Sequence, residues 1–371
     1  MKKKVLFVFG TRPEAIKMAP VIKLARKNKA IASTVCVTAQ HRFLLDQAMK
    51  EFDIKPDIDL DLMRPDQSLY DVVSSVMRGM GKIYRRLRPD IVLVQGDTST
   101  VFAASMAAYY EGIDVGHIEA GLRSYDNLNP FPEEINRRFV SLVAKYNFCP
   151  TSEAKKNLLN EGVDRSAIFV TGNTVVDALK DILKKTGDHP PLVHGLERGF
   201  VEAPFVLITG HRRENFDTMK DICAAVRMLA VRHGKINWLW AVHLNPHVRR
   251  IVFKTLKGLR NVRIVEPIPY AAFVYLMSRS EFIISDSGGV QEEAPSFGKT
   301  VLVTRRCTER PEAVKSGTSI LVGTNKREIS RRADAILEGK IRGIAKRSPF
   351  GDGHAARRIM DVIVKGNCRE L

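Results

Sequence analysis

The sequence predicts an α/β chain of two Rossmann-like, doubly wound domains facing a cleft, and three observations predict it. Short β-branched and aliphatic runs recur along almost the whole chain, separated by stretches whose apolar residues fall at helical spacing. The runs are apolar throughout and do not alternate, as strands covered by helices on both faces of a parallel sheet must be. The length, 371 residues, is long for one core and suits two of ordinary size.

Taken in order, strands are expected at 5–9, 34–38, 91–95, 115–118, 146–149 and 168–171 in the first half. The second half offers 205–209, 237–242, 262–265, 282–285, 301–303 and 319–322. Between them, stretches such as 14–27 and 70–87 carry helical periodicity. A Pro, Gly and His-containing stretch at 186–195 reads as a linker, but the first strand series closes at Thr171, so the hinge is placed at Gly172-Asn-Thr-Val175. The expected domains are therefore 1–171, 172–350 and a C-terminal helix within 351–371. That helix carries apolar positions at Ala356, Ile359, Met360 and Ile363 and is expected to pack back on the first domain. No internal repeat or low-complexity segment interrupts the pattern.

Composition narrows the function classes. A hydrophobic fraction of 44% and a charged fraction of 27% are those of a soluble globular protein, and no apolar run has the length to span a bilayer. Met1-Lys-Lys-Lys4 precedes an apolar run too short for a signal peptide, so a first buried strand and a cytoplasmic location are expected. Five cysteines at 36, 149, 223, 307 and 368 lack paired or ligand-like spacing, against a disulfide framework or a zinc site. The net charge of +18 invites nucleic acid, but the cations are scattered among acids and no nucleic-acid-binding motif accompanies them. Small anionic substrates account for the charge equally well.

Ligands of open α/β sheets bind beyond the carboxyl ends of the strands, so the residues that follow each run matter most. After 282–285 comes Asp286-Ser287-Gly288-Gly289-Val290-Gln291-Glu292-Glu293. Two glycines bare the backbone N–H groups at a helix start, which suits a phosphate or pyrophosphate, and Glu293 lies within reach of a sugar hydroxyl. The same sequence also serves as an ordinary tight turn. The first strand ends in Gly10-Thr-Arg-Pro-Glu-Ala-Ile-Lys17, where Arg12 and Lys17 suit a diphosphate, although no P-loop pattern is present. Other strand ends supply Gln40-His41-Arg42, Gly96-Asp97-Thr98 and His117-Ile-Glu119, and Asp97 could equally be a helix cap. Glu133 stands four residues before Arg137 on an expected helix, a spacing that also gives an ordinary ion pair. In the second half His211 follows a strand and could move a proton near neutral pH, whereas His243, in a His-Leu-Asn-Pro-His loop, reads as structural. Phe273 falls at core spacing on a helix.

In sequence order, GTRPEAIKMAP, TAQHR, QGDTST, HIEAGLRS, PEEINRR, GHRREN, DSGGVQEEAPSFGK and TERPEAV closely resemble the non-hydrolysing UDP-N-acetylglucosamine 2-epimerases, from Gly10 to about Gly323. The resemblance implies a glycosyltransferase-B-type fold with a UDP-sugar in the cleft, a homodimer, and interconversion of UDP-GlcNAc and UDP-ManNAc without metal or redox cofactor. It assigns catalysis to Asp97, Glu119, Glu133 and His211, and the diphosphate and its surroundings to Arg12, Lys17, Arg137 and Arg310. Phe273 would stack near the uracil, Ser287, Gly288 and Gly289 would bind phosphate, and Glu293 the ribose. The allosteric UDP-GlcNAc region of some family members is matched by Gln40, His41, Gln67, Arg212 and His243, but Phe43 and Asp66 depart from its pattern. Arg306-Cys307 replaces the usual Asp-Thr before Thr-Glu-Arg-Pro and adds positive charge there.

Overall fold

A computed structural model describes residues 1–39, 42–62, 64, 67–187, 193–210, 215–341 and 348–366. The chain forms two compact units, Met1–Asp181 with Phe350–Leu371, and Ile182–Pro349. In the first unit β1 (Lys3–Phe9), α1 (Arg12–Lys27), β2 (Ile31–Val37), α2 (Arg42–Glu51), β3 (Ile58–Asp59), α3 (Leu69–Leu87) and β4 (Ile91–Gln95) come first. Then follow α4 (Ser99–Tyr110), β5 (Asp114–Ile118), α5 (Glu133–Val143), β6 (Tyr146–Cys149), α6 (Ser152–Asn160), β7 (Ile168–Val170) and α7 (Thr174–Thr186). The second unit runs through α8 (Arg198–Glu202), β8 (Phe205–Gly210), α9 (Met219–Arg232), β9 (Asn237–Val242), α10 (Pro246–Leu256), β10 (Val262–Val265) and α11 (Tyr270–Arg279). It ends with β11 (Ile283–Ser285), α12 (Gly288–Glu293), β12 (Val301–Val303), α13 (Pro311–Lys315), β13 (Ser319–Leu321) and α14 (Lys326–Leu337). Helix α15 (Ala355–Lys365) belongs to the first unit.

Both sheets are parallel, with strand orders β3-β2-β1-β4-β5-β6-β7 and β10-β9-β8-β11-β12-β13. Period-two alternation sends neighbouring side chains of one strand to opposite faces, and both faces are covered. In β8, Val206 and Ile208 pack with Met219, Val226 and Leu229 of α9, whereas Phe205 and Leu207 pack with Leu276 and Met277 of α11. In β1, Leu6 and Val8 join Met80 and Tyr84 of α3, and Val5, Phe7 and Phe9 are buried as well. Burial pushes the thiols of Cys36, Cys149 and Cys223 up to about 12, so they are inert apolar fillers.

The chain leaves the first unit at Asp181/Ile182, inside α7, and not at Gly172 as the closing strand series suggests. The reason is packing: Val175, Val176, Ala178 and Leu179 on the first turns of α7 are buried. The return is fixed by hydrogen bonds. Asp177 of α7 accepts from Ala355 N and Ala356 N at 3.2 and 3.0 Å, capping α15, and Asn173 N donates to Phe350 O at 2.7 Å. All four apolar positions expected on α15 are buried, and the helix packs against α1.

Candidate active site

Strand order reverses between β1 and β4 in one sheet and between β8 and β11 in the other, and such switch points open a crevice at the carboxyl ends of the strands. The first switch point lies between Gly10-Thr11-Arg12 and Gly96-Asp97-Thr98, the second between Gly210 and Asp286-Ser287-Gly288.

In the first unit Glu14 joins the two turns. Its Oε2 accepts from Gly10 N and Thr11 N at 2.6 and 2.9 Å, and its Oε1 accepts from Thr98 Oγ1 at 2.5 Å. Burial raises its carboxyl above the usual range, the three donors oppose that, and neighbouring Asp97 adds to it. Thr98 caps α4, so Asp97 is held at the mouth of that helix. The Asp97 carbonyl accepts from Asn136 Nδ2 at 2.9 Å, and its carboxylate pairs with Arg137 of α5, which also meets Glu134 at 3.2 Å. Behind it, His117 of β5 is fully buried with Nε2 2.7 Å from Gly96 O.

Glu119, one strand over, is buried with φ of +68°, a left-handed conformation that side chains rarely adopt. Its Oε2 pairs with Lys17 of α1 and accepts from Asn173 Nδ2 at 3.0 Å. Gly121 follows with φ of +87°, and a Cβ there would stand 2.3 Å from Ala154 O, so this close approach requires glycine. Glu133 and Arg12 are half-buried at the first turns of α5 and α1.

In the second unit a Cβ on Gly288 would lie 2.6 Å from Arg310 Cζ, so the guanidinium sits directly against the Ser287-Gly288-Gly289 turn. Arg310 is buried and anchored there: Nε donates to Glu292 Oε1 at 2.7 Å, and another nitrogen pairs with Glu309, which also accepts from Arg305 at 2.8 Å. Glu293 accepts from Tyr270 Oη at 3.0 Å. Phe273, on the same helix as Tyr270, is partly buried against the core. Asn215 donates to Asp286 Oδ2 and Thr304 O, both at 3.0 Å, bridging the ends of β11 and β12.

Among the expected site residues, Lys17 pairs with Glu119 and Arg137 with Asp97 in the first unit, and Gly288 and Arg310 meet in the second. Lys17 and Arg137 are both engaged by carboxylates of the protein. His211, Arg212, Gln40 and His41 lie outside the described residues, as does Asp66. Gln67 closes its own turn, accepting from Arg64 N at 2.8 Å and donating to Leu62 O at 3.1 Å. His243 is exposed and its Nδ1 accepts from Asn245 N at 3.2 Å. Arg306 is exposed. Glu14, His117, Asn173, Asn215 and Tyr270 were not singled out from sequence. Glu14 had a signal, since Thr11-x-x-Glu14 is a capping-box spacing. Among the described residues no group of three or more His, Cys, Asp or Glu is placed to hold a metal ion.

A family model described as UDP-N-acetylglucosamine 2-epimerase matches residues 23–364. The UDP-N-acetylglucosamine 2-epimerase of Escherichia coli K12 is 45% identical over 368 residues, 97% of this chain and 98% of that protein. The chain belongs to the UDP-N-acetylglucosamine 2-epimerase family. Family membership places the chain among the epimerases, which are isomerases. Among solved structures, the 2-epimerase from Neisseria meningitidis bound to UDP-GlcNAc matches with a TM-score of 0.92 at 44% identity, covering 98% of this chain and 100% of that one. MurG from Acinetobacter baumannii, 12% identical, matches with a TM-score of 0.57 over 98% of this chain and 99% of its own, a likeness of fold alone. The 2-epimerase family model runs from within α1 to within α15, and the Neisseria 2-epimerase, matched over 98% of this chain, shares its two-domain glycosyltransferase-B-type architecture.

Proposed function

We propose that this chain is a non-hydrolysing UDP-N-acetylglucosamine 2-epimerase that interconverts UDP-GlcNAc and UDP-ManNAc in the cytoplasm, as a homodimer, for bacterial or archaeal cell-surface polysaccharide synthesis. The observation that carries this reading is the pair of carboxylates, Asp97 and Glu119, on the turns after the adjacent strands β4 and β5 beside the first switch point, each tied to a buried cation. The relative from Neisseria meningitidis, solved with UDP-GlcNAc, supports the substrate.

The C2 proton of a hexosamine is not acidic enough for direct removal in neutral water, so epimerisation goes by elimination. A base takes the C2 proton as the C1–O bond to UDP breaks, leaving 2-acetamidoglucal and UDP. UDP then adds back at C1 while a proton is delivered to the other face of C2. Two proton-transfer groups on opposite faces are required, and Asp97, Glu119, Glu133 and His211 are the candidates. The departing diphosphate needs fixed positive charge, which Arg310 supplies from behind the Ser287-Gly288-Gly289 turn while Ser287 and the turn's N–H groups hold oxygen atoms. Glu293, oriented by Tyr270, takes the ribose hydroxyls, and Phe273 lies beside the uracil. Lys17 and Arg137 fix the carboxylates that face the sugar, and Arg12 stands at the start of α1 for the diphosphate.

Incubation with UDP-GlcNAc in deuterated water is expected to place deuterium at C2 and to yield UDP-ManNAc. Asp97→Asn and Glu119→Gln should each slow the exchange about 100-fold or more, the usual worth of a general acid or base. Free UDP and free ManNAc released in equal amounts would establish the hydrolysing reaction instead, and no deuterium with folded protein would end the epimerase reading.

A further inference from the structure

We propose that Asn173 is a positioning residue for Glu119, fixing that carboxylate to the seam where the chain returns to the first unit. The inference rests on the reading of Glu119 as a proton-transfer group. Asn173 is buried, 3% exposed, and all four of its polar groups are engaged. Its carbonyl accepts from Val176 N at 3.1 Å, and its Oδ1 accepts from Val175 N at 3.0 Å, which caps α7. An N–H donor on Oδ1 settles which side-chain atom is the NH2 group, and that group points at Glu119 Oε2, 3.0 Å away. Its backbone N–H is taken by Phe350 O at 2.7 Å.

The returning segment therefore holds the backbone of Asn173 while the helix start holds its amide. Gly172 and Gly351, with φ of +89° and +120°, make the seam possible, since a Cβ on Gly351 would lie 3.2 Å from Gly172 Cα. Ser, Thr and Asp cap helices as well as Asn does, so the cap alone does not call for an amide. Only Asn both caps α7 and donates to the carboxylate. Glu119 needs such support: it sits in a left-handed backbone conformation, and Lys17, which also pairs with it, reaches it from α1 on a long flexible stem.

Asn173→Ser keeps a cap and removes the donor, and Asn173→Asp keeps the cap and puts an acceptor where the donor was. The expected result is a fall in kcat of about 10- to 100-fold for the serine variant and more for the aspartate variant, in line with the cost of misplacing a reacting group. KM should stay within about threefold and the melting temperature should be retained, a split that a purely structural role would not give. In parallel, with wild-type protein labelled with 15N-asparagine, the side-chain amide signals of Asn173 should move when Glu119 is changed to Gln. A serine variant with wild-type kcat overturns the proposal, and so do Asn173 amide signals that ignore Glu119→Gln. If the serine variant does not fold, or if the wild type exchanges no C2 proton and the epimerase reading falls, the amide signals still decide between support and refutation.

Discussion

His117 is a buried imidazole whose work is mechanical. Burial drives its pKa down to about 4 from the ordinary 6.5; the bond to Gly96 O opposes that shift, while Arg123 and Arg137 add to it. The ring is neutral at pH 7 with the proton on Nε2, donated to the Gly96 carbonyl, and the turn bearing Asp97 is held by it. Nδ1 is buried with no hydrogen-bond partner among the described residues. Between about pH 4 and 6.5 the unfolded chain protonates this histidine and the folded chain does not, so stability falls as pH drops through that window and is unaffected above it. At 1.36 kcal/mol per pH unit the loss is on the order of 3 kcal/mol. Urea unfolding of the wild type at pH 7 and near the lower end of the window should show it. His117→Gln, which can still donate to Gly96 O, should lose correspondingly less; parallel losses in both proteins would show that other groups are responsible.

The elements that matter most are the turns at the two switch points. At the second, Gly288 keeps a methyl group out of the space that Arg310 fills, and Arg310 cannot swing aside freely because Glu292 and Glu309 hold it. Gly288→Ala should therefore leave the fold intact and weaken UDP binding at least about tenfold, the cost of moving one charge-assisted contact. Calorimetric titration with UDP checks this, and unchanged affinity would mean that the guanidinium does not serve the diphosphate. Strands were the legible part of the fold, because each buries a continuous apolar run, and every expected strand is present. The exception is β3, two residues long with Asp59 at its end, which leaves no run to see. Strand ends were legible for the same reason, so Asp97, Glu119 and Ser287 stood out. Their supports did not: Asn173 meets Glu119 across 54 residues and Tyr270 meets Glu293 across 23, contacts that no local pattern announces.

Across the molecule the +18 net charge is uneven. Ile182–Pro349 carries 29 Lys and Arg against 16 Asp and Glu, a net +13 on the unit assigned to UDP, which suits attraction of a small anion better than a uniform coat would. The first unit carries a different surface. On α4 and α5, which pack side by side, Tyr109, Tyr110, Phe139 and Leu142 are 58%, 69%, 48% and 70% exposed, and the Phe102 and Phe139 rings meet at 5.7 Å. Large apolar side chains gathered on neighbouring helices are what a self-complementary interface needs, whereas scattered ones would need no explanation. In the proposed homodimer this face is expected to meet its copy, where a glutamate at its most exposed leucine would be buried without a partner. Sedimentation equilibrium at micromolar concentration is expected to give twice the 41.6 kDa chain mass for the wild type, and Leu142→Glu should weaken the dimer at least about tenfold. A wild-type chain that stays at 41.6 kDa would remove the dimer, and a Leu142→Glu dimer of undiminished strength would move the interface off α5.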